Sequence, residues 1–305
     1  MAETSGDAST RCGFVALIGA PNAGKSTLLN ALVGSKVSIV TPKVQTTRTL
    51  VRGIAVEGDA QLIFVDTPGI FAPKRRLDRA MVGSAWGSTQ DADLVALLID
   101  ARKGVHDDEE KILVTLAEVR PPKVLVLNKI DLVDKPALLG LTQVLNARAA
   151  FAATFMIAAL SGNGVADLRR WFAAHVPAGP WLYPADQISD APLRQLAAEI
   201  TREKLYLRLH EELPYQSTVE TEVWKELRDG SVRIEQTIYV ERESQRKIVL
   251  GKAGQAIRAI GAAARKDIAE AIEQPAHLFL HVKVREGWGD DPERYREMGL
   301  EFPKE

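Results

Sequence analysis

The chain has 305 residues, 46% of them hydrophobic and 26% charged, with a formal net charge of −1, a composition that suits one large folded domain or two ordinary ones. Near-neutrality excludes recognition of nucleic acid by a global positive field, so any such affinity must come from a local patch. A lone cysteine, Cys12, excludes an intrachain disulfide and fits a reducing compartment, and the five histidines show no metal-site spacing.

Residues 1–10 are rich in Ala, Ser, Thr and Asp without a basic-then-apolar signal pattern, and are expected to form a disordered tail. Gly13 to Ile18 is a short apolar run suited to a buried strand. Gly19-Ala20-Pro21-Asn22-Ala23-Gly24-Lys25-Ser26-Thr27 follows and fits Gly-x-x-x-x-Gly-Lys-Ser/Thr. Leu28, Leu29, Leu32 and Val33 then continue as a helix, which is the strand–loop–helix context a phosphate-binding loop needs. Its glycines allow successive N–H groups to turn inward around phosphate oxygens ahead of a helix N-terminus. Lys25 would place a charge on the terminal phosphates and the Ser26 hydroxyl would ligate Mg²⁺.

Thr41 to Leu50 lacks a period and is expected to be a loop. Val51 to Glu57 and Gln61 to Val65 pattern as a hairpin, whose second strand delivers Asp66-Thr67-Pro68-Gly69, and a helix is expected from Leu77 to Gln90. Leu94 to Asp100 is the continuous apolar run of a parallel strand covered on both faces. A helix over 108–119 and a strand over 123–127 lead to Asn128-Lys129-Ile130-Asp131. A further helix, a strand over 154–158 and a helix over 165–176 complete an alternation that specifies a doubly wound, mostly parallel α/β sheet. Each polar motif falls at the carboxyl end of a strand, where such sheets bind ligands.

Three prolines between Pro177 and Pro184 mark a linker over 178–190 between a first domain (11–177) and a second (191–305). Ser189 or Asp190 is expected to cap a helix whose apolar face carries Leu193, Leu196, Ala197, Ile200 and Leu207. Two strands joined at Arg228-Asp229-Gly230 follow, then Gly251-Lys252-Ala253-Gly254 and a helix with Ile257, Ile260, Ala264, Ile268 and Ile272 on one face. A strand over 277–284, with His277 and His281 read as solvated, and a short helix from about Asp291 close an α–β–β–α–β order.

At the first site, Asp66 is expected to hold Mg²⁺ through water and the Gly69 N–H to sense a terminal phosphate. A carboxylate at Asp131 can accept from the guanine N1–H and 2-amino group, which adenine lacks; Lys129 would lie along the base and Asn128 would tie this loop to the phosphate loop. These motifs in this order resemble the translation-factor-related GTPases. That resemblance assigns Ala158-Ala159-Leu160 to the guanine-supporting stretch, with the Ala159 N–H toward the guanine oxygen; the usual serine hydroxyl is absent, a loss of about 1 kcal/mol. It also places Ile70 where related enzymes carry a water-orienting glutamine, so intrinsic hydrolysis is expected to be slow. The Mg²⁺-ligating threonine would be Thr46 or Thr47, with Thr47 favoured by its place before Arg48. Lys25, Thr47 and Gly69 form the expected catalytic set. Asn22 either holds K⁺ near the phosphates, as its counterpart does in related enzymes, or only stabilises its own turn.

In the second domain, Arg242, Arg246, Lys247, Lys252, Arg258, Arg265 and Lys266 lie within 25 residues of one another against a single acid, Glu243, a local phosphate-attracting surface. A Gly-x-x-Gly turn there matches the RNA clamp of KH modules, with Arg246, Lys247, Gly251 to Gly254 and Arg258 as contacts and Ile248, Leu250, Ile257 and Ile260 as an apolar groove for bases. From about residue 11 onward the whole chain resembles the Era family of bacterial ribosome-assembly GTPases, which end in a type II KH domain. Further matches are Gln45 to Arg48, Glu212 to Tyr215, Val240 to Glu243 and Gly261 to Lys266. The resemblance implies GTP/GDP with Mg²⁺ as ligands and binding near the 3′ end of small-subunit ribosomal RNA during 30S assembly. It further implies control of the KH domain by the nucleotide and a cytoplasmic monomer, with loose contact to the inner face of the cell membrane as an option. Two other readings stay open on the residues alone: an RNA-binding factor that keeps GTP as a structural ligand, and a nucleotide kinase.

Overall fold

The computed structural model describes residues 10–209, 213–287 and 291–303. Except for Thr10, the expected tail lies outside these residues, as does Glu212. The described chain divides into two compact units, the second of which comprises residues 38–46, 75–77 and those from 191 onward.

The first unit is built from β1 (Arg11–Ile18), α1 (Lys25–Val33), β2 (Val51–Glu57), β3 (Ala60–Asp66), α2 (Arg76–Gln90), β4 (Leu94–Asp100), α3 (Asp107–Leu116), β5 (Lys123–Asn128), α4 (Lys135–Arg148), β6 (Ala153–Ile157) and α5 (Val165–His175). Its sheet runs in the order β2-β3-β1-β4-β5-β6, parallel except for the β2–β3 hairpin. Every residue of β3 and β4 is buried, because helices cover both faces. Leu28, Leu29 and Leu32 of α1 pack with Leu168 and Phe172 of α5 on one side. Ala85 of α2, Ile112 and Leu116 of α3, and Leu138 and Leu145 of α4 fill the other. Apolar runs that alternate with helices thus form the doubly wound sheet, and all loops bearing polar motifs open at one end of it.

Residues 178–190 lie along this unit. Buried Gln61 accepts from the N–H groups of Leu182 and Tyr183 at 2.8 and 3.0 Å and donates to the Tyr183 carbonyl at 2.7 Å. Ile54 N–H donates to the Ile188 carbonyl at 2.8 Å, and Arg52 pairs with Asp190 at 2.9 Å.

The second unit contains α6 (Leu193–Arg208), β7 (Ser217–Glu226), β8 (Val232–Val240), α7 (Glu243–Leu250), α8 (Gln255–Ala271), β9 (Ala276–Val284) and α9 (Pro292–Glu297). β7 and β8 are antiparallel, β8 and β9 parallel, and α6 and α8 cover one face of this sheet with Ile200, Leu205, Ile260, Ala264 and Ile268. His277 and His281 fall on the exposed side of β9.

Three expectations change here. α7 was absent from the expected order; the Gln245 side chain accepts from the Glu241 and Arg242 N–H groups at 2.9 and 3.1 Å and starts a short helix whose apolar residues, Ile248 to Leu250, all fall in its last turn. α6 is not capped by Ser189 or Asp190: Ser189 donates to the Arg52 carbonyl, Asp190 pairs with Arg52, and Pro192 stands at the helix entry. Its expected face is buried at Ala197 and Ile200, with Leu196 packed beside them, but the buried surface extends further around the helix. Leu193 and Leu207 are about half exposed, whereas Arg202 and Glu203 are buried. Among the described residues, no helix is long and apolar enough to cross a membrane.

Candidate functional site

The turn from β1 into α1 forms a cradle that glycine alone fits. Gly24 sits at φ 101°, and a Cβ there would lie 2.2 Å from the Asn128 Nδ2 atom; at Gly19 a Cβ would meet the Leu98 carbonyl oxygen at 2.5 Å. Lys25 is buried, and its ammonium donates to the Gly19 and Ala20 carbonyls at 3.0 Å each. Burial lowers its pKa to about 8 against the opposing pull of Asp66, so a phosphate anion is the partner that would hold it charged.

Ser26 Oγ lies 2.9 Å from Thr47 Oγ1 and 2.6 Å from Asp66 Oδ2, and Thr47 donates to the same carboxylate oxygen at 3.3 Å. Two hydroxyls and a buried carboxylate thus converge on one point, a hard-oxygen set that fits Mg²⁺. Thr46 faces elsewhere: its hydroxyl bonds Thr41 Oγ1 at 2.6 Å and the Lys43 carbonyl at 2.7 Å. Thr67 donates to the Leu17 carbonyl at 2.7 Å, which pins the turn after β3 to β1. A Cβ on Gly69 would sit 2.9 Å from Pro21 Cα, so glycine allows this turn to touch the phosphate loop. The Ile70 N–H reaches the Gly19 carbonyl at 3.1 Å, but its side chain is buried in the apolar layer under α2 and α3. Ile70 therefore offers the site main chain alone.

The loop after β5 is bound to the phosphate loop from both sides. Asn128 donates through Nδ2 to the Ala23 carbonyl at 2.9 Å, and its Oδ1 accepts from the Ala159 N–H at 3.0 Å. The Ala159 N–H, expected to face the guanine oxygen, thus meets Asn128 within the protein, and the exposed Leu160 is next in the turn. Lys129, at φ 65°, donates to the Asn22 carbonyl at 2.7 Å and to Asp100 Oδ2 at 2.6 Å. Asp131, in the same loop, is exposed. Asp100 escaped the sequence reading. A carboxylate that ends an apolar strand at the ligand end of the sheet was the available signal.

In the second unit, Gly251 to Gly254 joins α7 to α8. Gly251 has φ 70° and Gly254 φ 73°, with Ala253 between them also left-handed at φ 50°. A Cβ on Gly251 would meet Ala256 Cβ at 2.6 Å. Lys252 and Ala253 stand at the exposed tip. Arg258 folds back from α8 to donate to the Ala253 and Gly254 carbonyls at 2.6 and 3.2 Å, and Arg246 pairs with Glu243 at 2.9 Å while reaching the Val282 carbonyl at 3.3 Å. Lys247 is exposed beside them. Of the expected groove, Ile248, Leu250 and Ile257 are at least partly accessible; Ile260 is not, since it belongs to the core beneath.

Residues 14–129 match the model of the 50S ribosome-binding GTPase family, and residues 212–289 match the KH domain. GTPase Era of Afipia carboxidovorans is 71% identical over 97% of this chain and 96% of its own, and that of Bradyrhizobium diazoefficiens is 67% identical over 99% of each. The chain belongs to the Era GTPase family. Two solved Era structures superpose with a TM-score of 0.90 at 37% identity, covering 95% of this chain and 99% of theirs. One, from Aquifex aeolicus, is bound to GDP and aluminium fluoride; the other is in complex with MgGDPNP and nucleotides 1506–1542 of 16S ribosomal RNA. Family membership makes this chain a GTPase that uses GTP and Mg²⁺, which removes the readings as a kinase or as a protein with GTP as a structural ligand only.

Proposed function

We propose that the protein is a GTP-driven switch that binds the 3′ end of small-subunit ribosomal RNA and acts in assembly of the 30S subunit. The observation that carries this reading is the coexistence of the nucleotide cradle and an exposed Gly-x-x-Gly tip in a chain that superposes along nearly its whole length on an Era–RNA complex. The first unit corresponds to the GTPase domain (11–177 with the 178–190 segment) and residues 191–305 to the KH domain. The work is cytoplasmic and done by a monomer.

In this reading the cradle from Gly19 to Thr27 surrounds the phosphates with N–H groups. Lys25 and the Gly69 N–H hold the terminal phosphate, and Asp131 selects guanine. Bound Mg²⁺, held by Ser26, Thr47 and, through water, Asp66, would neutralise charge between the outer phosphates. Ile70 cannot orient water by hydrogen bonding, so positioning and electrostatics supply most of the acceleration and the intrinsic rate is low. Asn22 is the candidate for a K⁺ that adds to this charge. Hydrolysis in K⁺ and Na⁺ at equal ionic strength tests that role, and equal rates remove it.

Lys252 and the exposed backbone of the Gly251–Gly254 tip would grip the RNA phosphates, with Lys247 alongside. Fluorescence anisotropy with the 3′-terminal small-subunit RNA segment, in GDPNP and in GDP, tests the whole reading. Tighter binding with GDPNP is the expected result. Equal affinity for this segment and for an unrelated single strand would overturn it.

A further inference from the structure

Within the first unit, one ammonium group joins three loops at the ligand end of the sheet. Lys129, just after β5, donates to the Asn22 carbonyl of the phosphate loop at 2.7 Å and to Asp100 Oδ2, at the end of β4, at 2.6 Å. Asp100 stands opposite Asn128 in the β4–β5 pair. Its side chain is 4% exposed and that of Lys129 29%, so the carboxylate is sealed while the lysine keeps a solvent-facing part. The turn after β4 fixes the carboxylate in turn. Asp100 Oδ1 accepts from the Arg102 N–H at 3.1 Å, and the Asp100 carbonyl accepts from the Lys103 and Gly104 N–H groups at 3.0 Å each. The Ala101 N–H then crosses to the Asn128 carbonyl at 2.9 Å. Lys129 and Asn22 both stand at left-handed backbone angles, φ 65° and 64°, which residues with side chains hold only where their surroundings over-determine them.

We propose that Asp100 is a positioning residue for nucleotide binding: it aims Lys129 so that the lysine stem lies along the base while the ammonium latches the base loop to the phosphate loop. The inference rests on the expectation that Lys129 lies along the guanine plane, and deepens it by naming the group that orients it. A lysine ammonium rides on a flexible four-carbon stem and, unrestrained, samples many directions. The Asn22 carbonyl is a neutral acceptor and restrains it weakly. A fixed carboxylate adds a hydrogen bond in which both partners are charged, the stronger kind. A side chain already held in its ligand-bound direction spares the ligand the cost of capturing it from other conformations. The base and its contact with the stem are common to GTP and GDP, so both nucleotides should depend on Asp100 equally, and the choice of guanine stays with Asp131.

The test is a double-mutant cycle in the full chain, with Asp100→Asn, Lys129→Ala and the pair titrated against GDPNP and GDP. Asn keeps the shape of Asp100 and an acceptor for the Arg102 N–H but removes the charge. The expected losses, for both nucleotides, are about tenfold in Asp100→Asn, about thirtyfold in Lys129→Ala and again about thirtyfold in the pair, because the carboxylate acts through the lysine. Additive losses, about three-hundredfold in the pair, would overturn the proposal, as would wild-type affinity in Asp100→Asn. Wild-type affinity in Lys129→Ala would overturn the base reading of Lys129 itself, a separate failure that the same cycle distinguishes.

A role of Asp100 confined to its own turn is told apart by the Lys129 ammonium resonance in isotope-labelled protein, identified by its absence from Lys129→Arg. In wild type this resonance should exchange slowly with water, and in Asp100→Asn it should join those of exposed lysines. An unchanged resonance would assign any loss of affinity to the turn and overturn the proposal. If Asp100→Asn does not fold, the wild-type resonance carries the test, and fast exchange there would overturn the latch.

Discussion

Two glycine-bearing turns in this protein stand ahead of helices, one before α1 and one before α8, and both suit phosphate. They differ in what surrounds them. The turn before α1 is enclosed: Asn128 and Lys129 hold its carbonyls from one side, Gly69 touches it from another, and Lys25 is buried within it. The turn before α8 is exposed at Lys252 and Ala253, and the brace on it is the arginine from its own following helix. An enclosed cradle takes one small anion in one pose and can read it finely. An open tip takes a point along a chain and leaves the rest of the polymer to reach other surfaces. Left-handed glycines are common to both; neighbouring side chains decide which use results.

Breaking the enclosure should have the largest effect. Gly24→Ala places a methyl 2.2 Å from Asn128 Nδ2 at a positive φ, and nucleotide affinity measured by titration should fall by more than about a hundredfold, with RNA binding in the absence of nucleotide retained. Next comes base selection: Asp131→Asn should cost about a hundredfold in GTP affinity and favour xanthine nucleotide in competition. Retained guanine preference would remove Asp131 from that role.

The open tip should yield to charge rather than to shape. Lys252→Asp with Ala253→Asp should lower RNA affinity about thirtyfold at moderate salt and flatten its salt dependence, while GTP binding stays within about twofold. A matching loss of GTP binding would mean that the two turns are not separable. Asp100→Asn sharpens the contrast from the other side. It removes the buried partner of Lys129 and should weaken GTP and GDP alike by about tenfold.

The smallest effect is a pH dependence confined to the enclosed turn. With the Lys25 pKa lowered to about 8 by burial, the group is charged below that pH and neutral above it. Phosphate binding favours the charged form, so above pH 8 nucleotide binding must take up a proton and affinity should fall, by up to about tenfold per pH unit. Titrations at pH 7 and 8.5 should differ by about fourfold or less, whereas the exposed tip should show no such step. Constant affinity across this interval would count against a desolvated Lys25.

Much of this contrast was legible in the chain. The phosphate loop, Asp66 to Gly69 and Asn128 to Asp131 are contiguous motifs whose chemistry requires those residue types, and apolar runs between them are long enough to be strands covered on both faces. Thr47 could be preferred over Thr46 before any geometry was known. What stayed hidden depends on partners far away in sequence. That the Ala159 N–H meets Asn128 depends on a side chain 31 residues earlier. Asp100 is one strand-terminal acid among others until Lys129 arrives beside it. On α6 the apolar spacing suggested a face of Leu193, Leu196, Ala197, Ile200 and Leu207; its middle is buried, but the structure also buries Arg202 and Glu203, because backbone groups of residues 38–46 are present to meet them.

The sequence by itself determined which residues stand together: a glycine-rich loop with Lys25, a loop from Asn128 to Asp131 and a basic Gly-x-x-Gly turn, each carried by neighbouring residues at a fixed spacing. Tertiary structure alone decided which polar groups meet one another across the chain. It also decided that the segment leading to Thr47 is held by α6. The reason is physical: a buried hydrogen-bonding group must find a partner wherever the fold brings one, and that choice is made across the chain, not along it.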